Sequence, residues 1–195
     1  MRRIILASAS PRRKELLKQL GLEFEVAPSE YPEDLVKKLP PRTIVRRLSI
    51  EKAKAVAPLY PDSIIIAADT IGVIGGKVIG KPKTIAEAKA MLRLLSGKTH
   101  LVITGVTILD TADGCSSTGV VTTAVTFRKL TKSDIDAYVA TGEPLDKAGA
   151  YAIQGLGAVL VKEIRGDYFN VMGLPIGEVA AKLKKFGIDI LSEKH

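Results

Sequence analysis

The chain has 195 residues, 46% of them apolar, with no Trp and a formal net charge of +8. That length suits one domain, or two small lobes around a shared sheet, with a core built mostly of Ile, Leu, Val and Ala. A single cysteine, Cys115, excludes an intrachain disulfide, and no run approaches the roughly 18 apolar residues of a membrane-spanning helix.

The opening Met1-Arg2-Arg3 followed by Ile4 to Ala7 has the polarity of a secretion signal. The apolar run is too short for one, however, and Pro11-Arg12-Arg13 interrupts it. It reads as a first strand, and the chain as cytoplasmic. Ser10 is a good N-cap and Pro11 suits the first helical position; Leu16, Leu17 and Leu20 form an apolar face, and Gly21 closes the helix. Phe24 to Ala27 reads as a second strand and Pro28 to Pro41 as a polar loop. A helix is expected from about Thr43 to Ala57, with Ile44, Val45, Leu48, Ala53 and Val56 near helical spacing.

Ser63 to Ala68 is an unbroken apolar run that stops at Asp69 and reads as a strand buried on both faces. Val73 to Ile79 looks like a hairpin turning at Gly75-Gly76. Thr84 to Glu87 has the pattern of a capping box, opening a helix to Leu95. Leu101–Leu109 and Val120–Phe127 pair as a long hairpin turning at Ala112-Asp113-Gly114. Thr131 caps a short helix to Ala140, Ala158–Ile164 is a strand, and Pro175 starts a last helix to Phe186. Alternating strands and helices with intervening hairpins predict an α/β domain of mixed α+β character, with a mixed sheet and flanking helices.

The positive charge calls for an anionic partner. Basic residues are scattered among acidic ones, and no basic strand carries interleaved aromatics. A polyphosphorylated small molecule is therefore expected rather than nucleic acid or a membrane. Ser8-Ala9-Ser10-Pro11-Arg12-Arg13 lies where the first strand hands over to a helix. Backbone N–H groups and the helix dipole favour an anion there, and Ser8, Ser10, Arg12 and Arg13 add donors and charge. Basic residues in a first helical turn oppose the dipole, a cost that an arriving anion would offset.

Asp69, expected at the carboxyl end of a central strand, is placed where α/β proteins hold ligands and metals. Gly75 to Lys81 nearly spells a P-loop, but Pro82 stands where Ser or Thr is needed, so only Lys81 is kept as a phosphate ligand. His100 and His195 lie far apart and no Cys or His cluster suggests zinc; carboxylates with magnesium or manganese suit the inventory better. The Gly-rich stretch from Gly142 to Gly157 is read as a binding loop, in which the Gln154 amide could read a base edge. Cys115, in a polar turn with no base nearby, is not read as catalytic.

Together these segments resemble the Maf family of nucleotide pyrophosphatases. The matching pieces are Leu6 to Arg13, Glu51-Lys52-Ala53-Lys54-Ala55-Val56, Ala68-Asp69-Thr70, Gly80-Lys81-Pro82 and Thr104-Gly105-Val106. They continue in Gly142-Glu143-Pro144, in Asp146 to Tyr151, in Gly166-Asp167-Tyr168, and in Asn170-Val171 with Gly173-Leu174-Pro175. They follow the family's order across nearly the whole chain, read as one domain over residues 1–195. One departure is the polar, slightly long Ser116-Ser117-Thr118-Gly119 turn, which is expected to be peripheral.

The resemblance implies hydrolysis of nucleoside triphosphates, dTTP and UTP in this branch, to the monophosphate and pyrophosphate. It implies an elongated mixed sheet in two lobes around a cleft, similar to inosine triphosphate pyrophosphatases, and a homodimer. In the dTTP/UTP branch an Arg, a Lys and a Gln stand where this chain has Arg13, Lys81 and Gln154. On that footing Asp69, helped by Glu33, holds Mg2+ or Mn2+ and activates the attacking water. Ser8, Ser10, Arg12, Arg13, Lys52 and Lys81 neutralise the triphosphate, and Gln154 reads the pyrimidine. The alternatives are a non-enzymatic, nucleotide-sensing regulator of septum formation and a nucleic-acid-binding module.

Overall fold

A computed structural model describes residues 2–32 and 39–192. Its strands are β1 (Arg3–Leu6), β2 (Glu25–Val26), β3 (Ser63–Ile74), β4 (Lys77–Ile79), β5 (Thr99–Asp110), β6 (Ser116–Phe127) and β7 (Val161–Arg165). The helices are α1 (Pro11–Lys18), α2 (Pro41–Val56), α3 (Ile85–Leu95), α4 (Lys132–Ala140), α5 (Tyr168–Met172) and α6 (Ile176–Lys184). The strands form a seven-stranded sheet in the order β2-β1-β3-β5-β6-β7, with β4 paired to β3. The sheet is mixed: β1 runs parallel to β2 and β3, while β3–β4 and β6–β7 are antiparallel. None of the described helices is long and apolar enough to cross a membrane.

The chain divides into two compact units, one of residues 1–70, 104–121 and 173–195, the other of residues 71–103 and 122–172. In the first unit, Ile5 and Ala7 of the opening segment pack with Ile65 and Ala67 of β3 and with Ala53 and Val56 of α2. Ile64, Ile65 and Ile66 are all fully buried, as a strand covered on both faces requires. Each contributes on the order of 2 kcal/mol of apolar burial. In the second unit, Leu92 and Leu95 of α3, Val102, Val125, Phe127, and Ile135, Tyr138 and Val139 of α4 form the core.

The structure lengthens the strand expected to end at Ala68. Thr70, Ile71, Val73 and Ile74 carry β3 on to residue 74, so Asp69 lies within a strand and not at its end. Gly75-Gly76 makes the expected hairpin turn, both residues having positive φ, and 77–79 is a strand. No helix follows Lys81 directly, since α3 opens at Ile85, so the near-P-loop is no phosphate loop.

The Thr84 hydroxyl caps α3 by accepting from the Glu87 N–H, but the Glu87 carboxylate accepts from Lys83 N–H and not from Thr84. The full reciprocal box occurs instead at Thr131 and Asp134 on α4. Two further expectations are corrected. Ser116–Gly119 is strand, because the β5–β6 turn is made by residues 111–115. Residues 155–160 form 3-10 turns, so β7 starts only at Val161. Cys115 sits exposed at that β5–β6 turn, and Asp113 raises its pKa by hydrogen bonding, which favours the unreactive thiol.

Candidate functional site

The Ser8–Arg13 turn is built by β1 stopping against its neighbours. Ala7 N–H donates to Ile66 O of β3, and Ala27 N–H donates to Leu6 O. The chain then folds in: Ser8 is buried, and its Oγ accepts from Ser10 N–H at 3.3 Å and from Arg13 Nη1 at 3.1 Å. Arg13 also donates through Nη1 to Ala68 O (2.8 Å), through Nη2 to Thr70 Oγ1 (3.1 Å) and through Nε to Gly173 O (2.8 Å). Its fork thus spans the Ala68 carbonyl and the Thr70 hydroxyl, one on each side of Asp69, and fastens them to the segment before α6. The Thr70 hydroxyl lies 2.9 Å from Thr104 Oγ1, which links this cluster to β5.

Asp69 is buried, and strand alternation turns it to the face of Ile65 and Ala67, the face that α2 covers. There Lys52 Nζ reaches Asp69 Oδ1 at 2.7 Å, with side-chain exposures of only 12% and 9%. Helix geometry puts Lys52 in line with Val45, Ser49 and Val56, one stripe of α2. Two contacts seat that stripe. Ser49 Oγ lies 2.9 Å from Thr107 Oγ1 of β5, and Val45 passes directly over Gly105. A Cβ on Gly105 would stand 2.2 Å from the Val45 carbonyl oxygen, so only glycine lets the helix backbone lie this close to β5. Gly105→Ala is therefore expected to lower stability by at least ~2 kcal/mol in denaturant unfolding, and to reduce activity by displacing Lys52 from Asp69. An alanine variant of unchanged midpoint and turnover would show that α2 does not depend on this approach.

At the start of α1, Ser10 occupies the N-cap with extended φ and ψ, but its side chain does not cap the helix, and the first turn carries no acidic residue. The Arg12 and Arg13 amides stand among the N–H groups that an α-helix cannot satisfy internally. Arg12 is half-buried on that turn. The arrangement suits an anion. Among the described residues no group of three or more His, Cys, Asp or Glu is disposed to hold a metal ion, and Glu33 lies outside the described residues. One carboxylate such as Asp69 still fits magnesium or manganese, because such ions take much of their shell from substrate phosphates and water.

Lys81 and Gln154 belong to the second unit. Lys81 is exposed after β4, and the preceding Gly80 O accepts from Gly149 N–H at 2.9 Å. Much of the Gly-rich stretch expected to bind ligand is core: Ala150, Tyr151, Ala152 and Ile153 are buried. The Tyr151 hydroxyl lies 2.8 Å from His100 Nε2, and Phe127 packs edge-on against both rings. Burial lowers the His100 pKa to about 4 and raises that of the Tyr151 hydroxyl above its ordinary value, so this pair is neutral at pH 7. Gln154 emerges half-buried after this anchored run.

A family described as "Maf-like protein" matches residues 3–186. The chain belongs to the Maf family. A Maf relative from Moorella thermoacetica, named dTTP/UTP pyrophosphatase, is 52% identical over 190 residues, which cover 97% of this chain and 98% of that one. Relatives carrying the same name come from Bacillus cereus strain AH820, 52% identical with the same coverage, and from Syntrophus aciditrophicus, 49% identical over 95% of this chain and 90% of that one. Among solved structures, a HAM1 protein from Coxiella burnetii is similar at TM-score 0.46 and 17% identity, over 77% of this chain and 86% of that one.

Within this Maf chain, sequence reasoning found Ser8, Arg13 and Asp69 but not the partners that tie them, Thr104 and the Gly173 carbonyl. A backbone carbonyl leaves no trace in sequence. The Lys52–Asp69 pair did leave one: a lysine at helical spacing from Val45, Ser49 and Val56 on α2.

Proposed function

We propose that this chain hydrolyses dTTP and UTP to the nucleoside monophosphate and pyrophosphate, with a divalent cation, Mg2+ or Mn2+, held at Asp69. The observation that carries the reading is the buried Asp69–Lys52 pair, set in the strand that Arg13 grips beside an anion-ready helix N-terminus. The name dTTP/UTP pyrophosphatase, carried by relatives about half identical over nearly the full chain, supports the same activity.

In this reading Ser10, Arg12 and the first amides of α1 bind phosphate oxygens, with Lys81 as a further cation and Gln154 as reader of the base. Asp69 accepts the proton of the attacking water, while Lys52 holds its carboxylate in place. The water oxygen bonds to the α-phosphorus, the bond from that phosphorus to the α–β bridging oxygen breaks, and pyrophosphate departs with the bridging oxygen. A divalent cation, when bound, would supply charge neutralisation at the phosphates.

The test is a panel of dTTP, UTP, CTP and the purine triphosphates, with magnesium or manganese present or removed by EDTA. Pyrophosphate and monophosphate from dTTP and UTP, and loss of both with EDTA, are expected. Orthophosphate as the product, or no turnover across the panel, would overturn the reading.

A further inference from the structure

The backbone on both sides of Gln154 is held by one three-group unit in the second unit of the fold. Tyr138 of α4 is buried; its hydroxyl donates to Glu143 Oε1 at 2.9 Å and accepts from Ala152 N–H at 3.2 Å. The Glu143 carboxylate in turn accepts from Leu156 N–H through Oε2 and from Gly157 N–H through Oε1, each at 3.2 Å. Residues 152 and 157 are thereby drawn into a neck. A Cβ on Gly157 would lie 2.3 Å from Ala152 O and 2.6 Å from the Tyr138 hydroxyl, so the neck closes only around glycine. Between its two sides Ile153 is buried and Gln154 is the first side chain to emerge.

The clamp is itself fixed. Lys147 Nζ donates to the Glu143 carbonyl at 2.9 Å, and Glu143 N–H donates to Thr141 Oγ1 at 3.2 Å, which ties the backbone of Glu143 to the end of α4.

We infer that Glu143 is a positioning residue for base recognition: its carboxylate, shared between the Tyr138 hydroxyl and the 156 and 157 amides, fixes the loop that presents Gln154. The inference rests on the reading of Gln154 as the group that faces the pyrimidine. A carboxylate placed only for stability has no reason to favour one nucleotide over another. A carboxylate that sets the position of the reading amide affects pyrimidine substrates selectively, because an amide read-out depends on placement to within fractions of an ångström.

The experiment compares wild type, Glu143→Ala, Glu143→Gln, Gln154→Ala and the Glu143→Ala/Gln154→Ala double variant, measuring kcat/KM for dTTP, UTP and dATP. Glu143→Ala is expected to lower kcat/KM for dTTP and UTP about ten- to a hundredfold, with a much smaller change for dATP, so that discrimination narrows. Glu143→Gln, which keeps one acceptor oxygen, should recover part of it. The double variant should be no worse than Gln154→Ala alone, since both changes remove one function. Faster hydrogen exchange of the 155–157 amides in Glu143→Ala should accompany the loss.

A folded Glu143→Ala protein that retains wild-type discrimination overturns the inference. Where that variant fails to fold, Tyr138→Phe removes only the hydroxyl between Glu143 and Ala152, and unchanged discrimination there overturns it equally. A wild type that hydrolyses neither dTTP nor UTP overturns the functional reading instead, and the inference with it.

Discussion

Asp69→Asn is expected to reduce pyrophosphate release from dTTP by about a thousandfold or more, while the protein stays folded. The substitution is nearly isosteric and keeps an oxygen for Lys52, whose ammonium lies 2.7 Å from Oδ1. What it removes is the negative charge that, in the proposed reading, accepts a proton and holds a cation. Both side chains of the pair are largely buried, so the loss of a charge-assisted hydrogen bond should also cost about 1–3 kcal/mol of stability. Turnover and thermal unfolding measured on the same preparation separate the two effects. A folded variant whose kcat/KM for dTTP stays within about tenfold of wild type would remove Asp69 from the chemistry.

Replacing Arg13 by Lys is expected to destabilise the first unit, and replacing Arg12 by Ala is not. The Arg13 fork reaches four acceptors: Ser8 Oγ, Ala68 O, Thr70 Oγ1 and Gly173 O. An ammonium cannot span them with the same planar geometry. With acceptors left under-satisfied beside a half-buried cation, a loss of about 3 kcal/mol is expected, which lowers Tm by roughly 6–12 °C in a chain of this size. Arg12→Ala should leave Tm nearly unchanged and raise the KM for dTTP, because the proposed reading makes Arg12, on a first turn without a side-chain cap, a phosphate-binding charge. Equal Tm losses in the two variants would show that the two arginines share one role.

The contrast between these neighbours explains what was legible beforehand. Ser8 to Arg13 could be found because strand, N-cap, Pro and basic residues follow one another within a single turn. The sequence could not say which guanidinium faces inward. Position 13 meets Ala68, Thr70 and Gly173, residues up to 160 positions away, and nothing local ranks it above position 12. The end of β3 was misplaced for a related reason. Asp69-Thr70 interrupts the apolar run, yet Lys52 satisfies the carboxylate inside the fold and the strand continues past it. The loop around Gln154 was noticed for its glycines. The device that shapes it is a Tyr–Glu pair five residues apart, whose partners are backbone amides.

The ordered set of short segments, from Leu6–Arg13 to Gly173-Pro175, was enough by itself to indicate the family, and hydrophobic periodicity gave the order of most strands and helices. Both depend on local pattern, which the chain carries wherever it folds. Tertiary structure alone decided that Asp69 pairs with Lys52, that Arg13 ties the strand bearing Asp69, and that Glu143 clamps the loop bearing Gln154. Those assignments rest on approaches of a few ångströms between distant segments, set by how α2 packs across Gly105 and how the neck closes at Gly157.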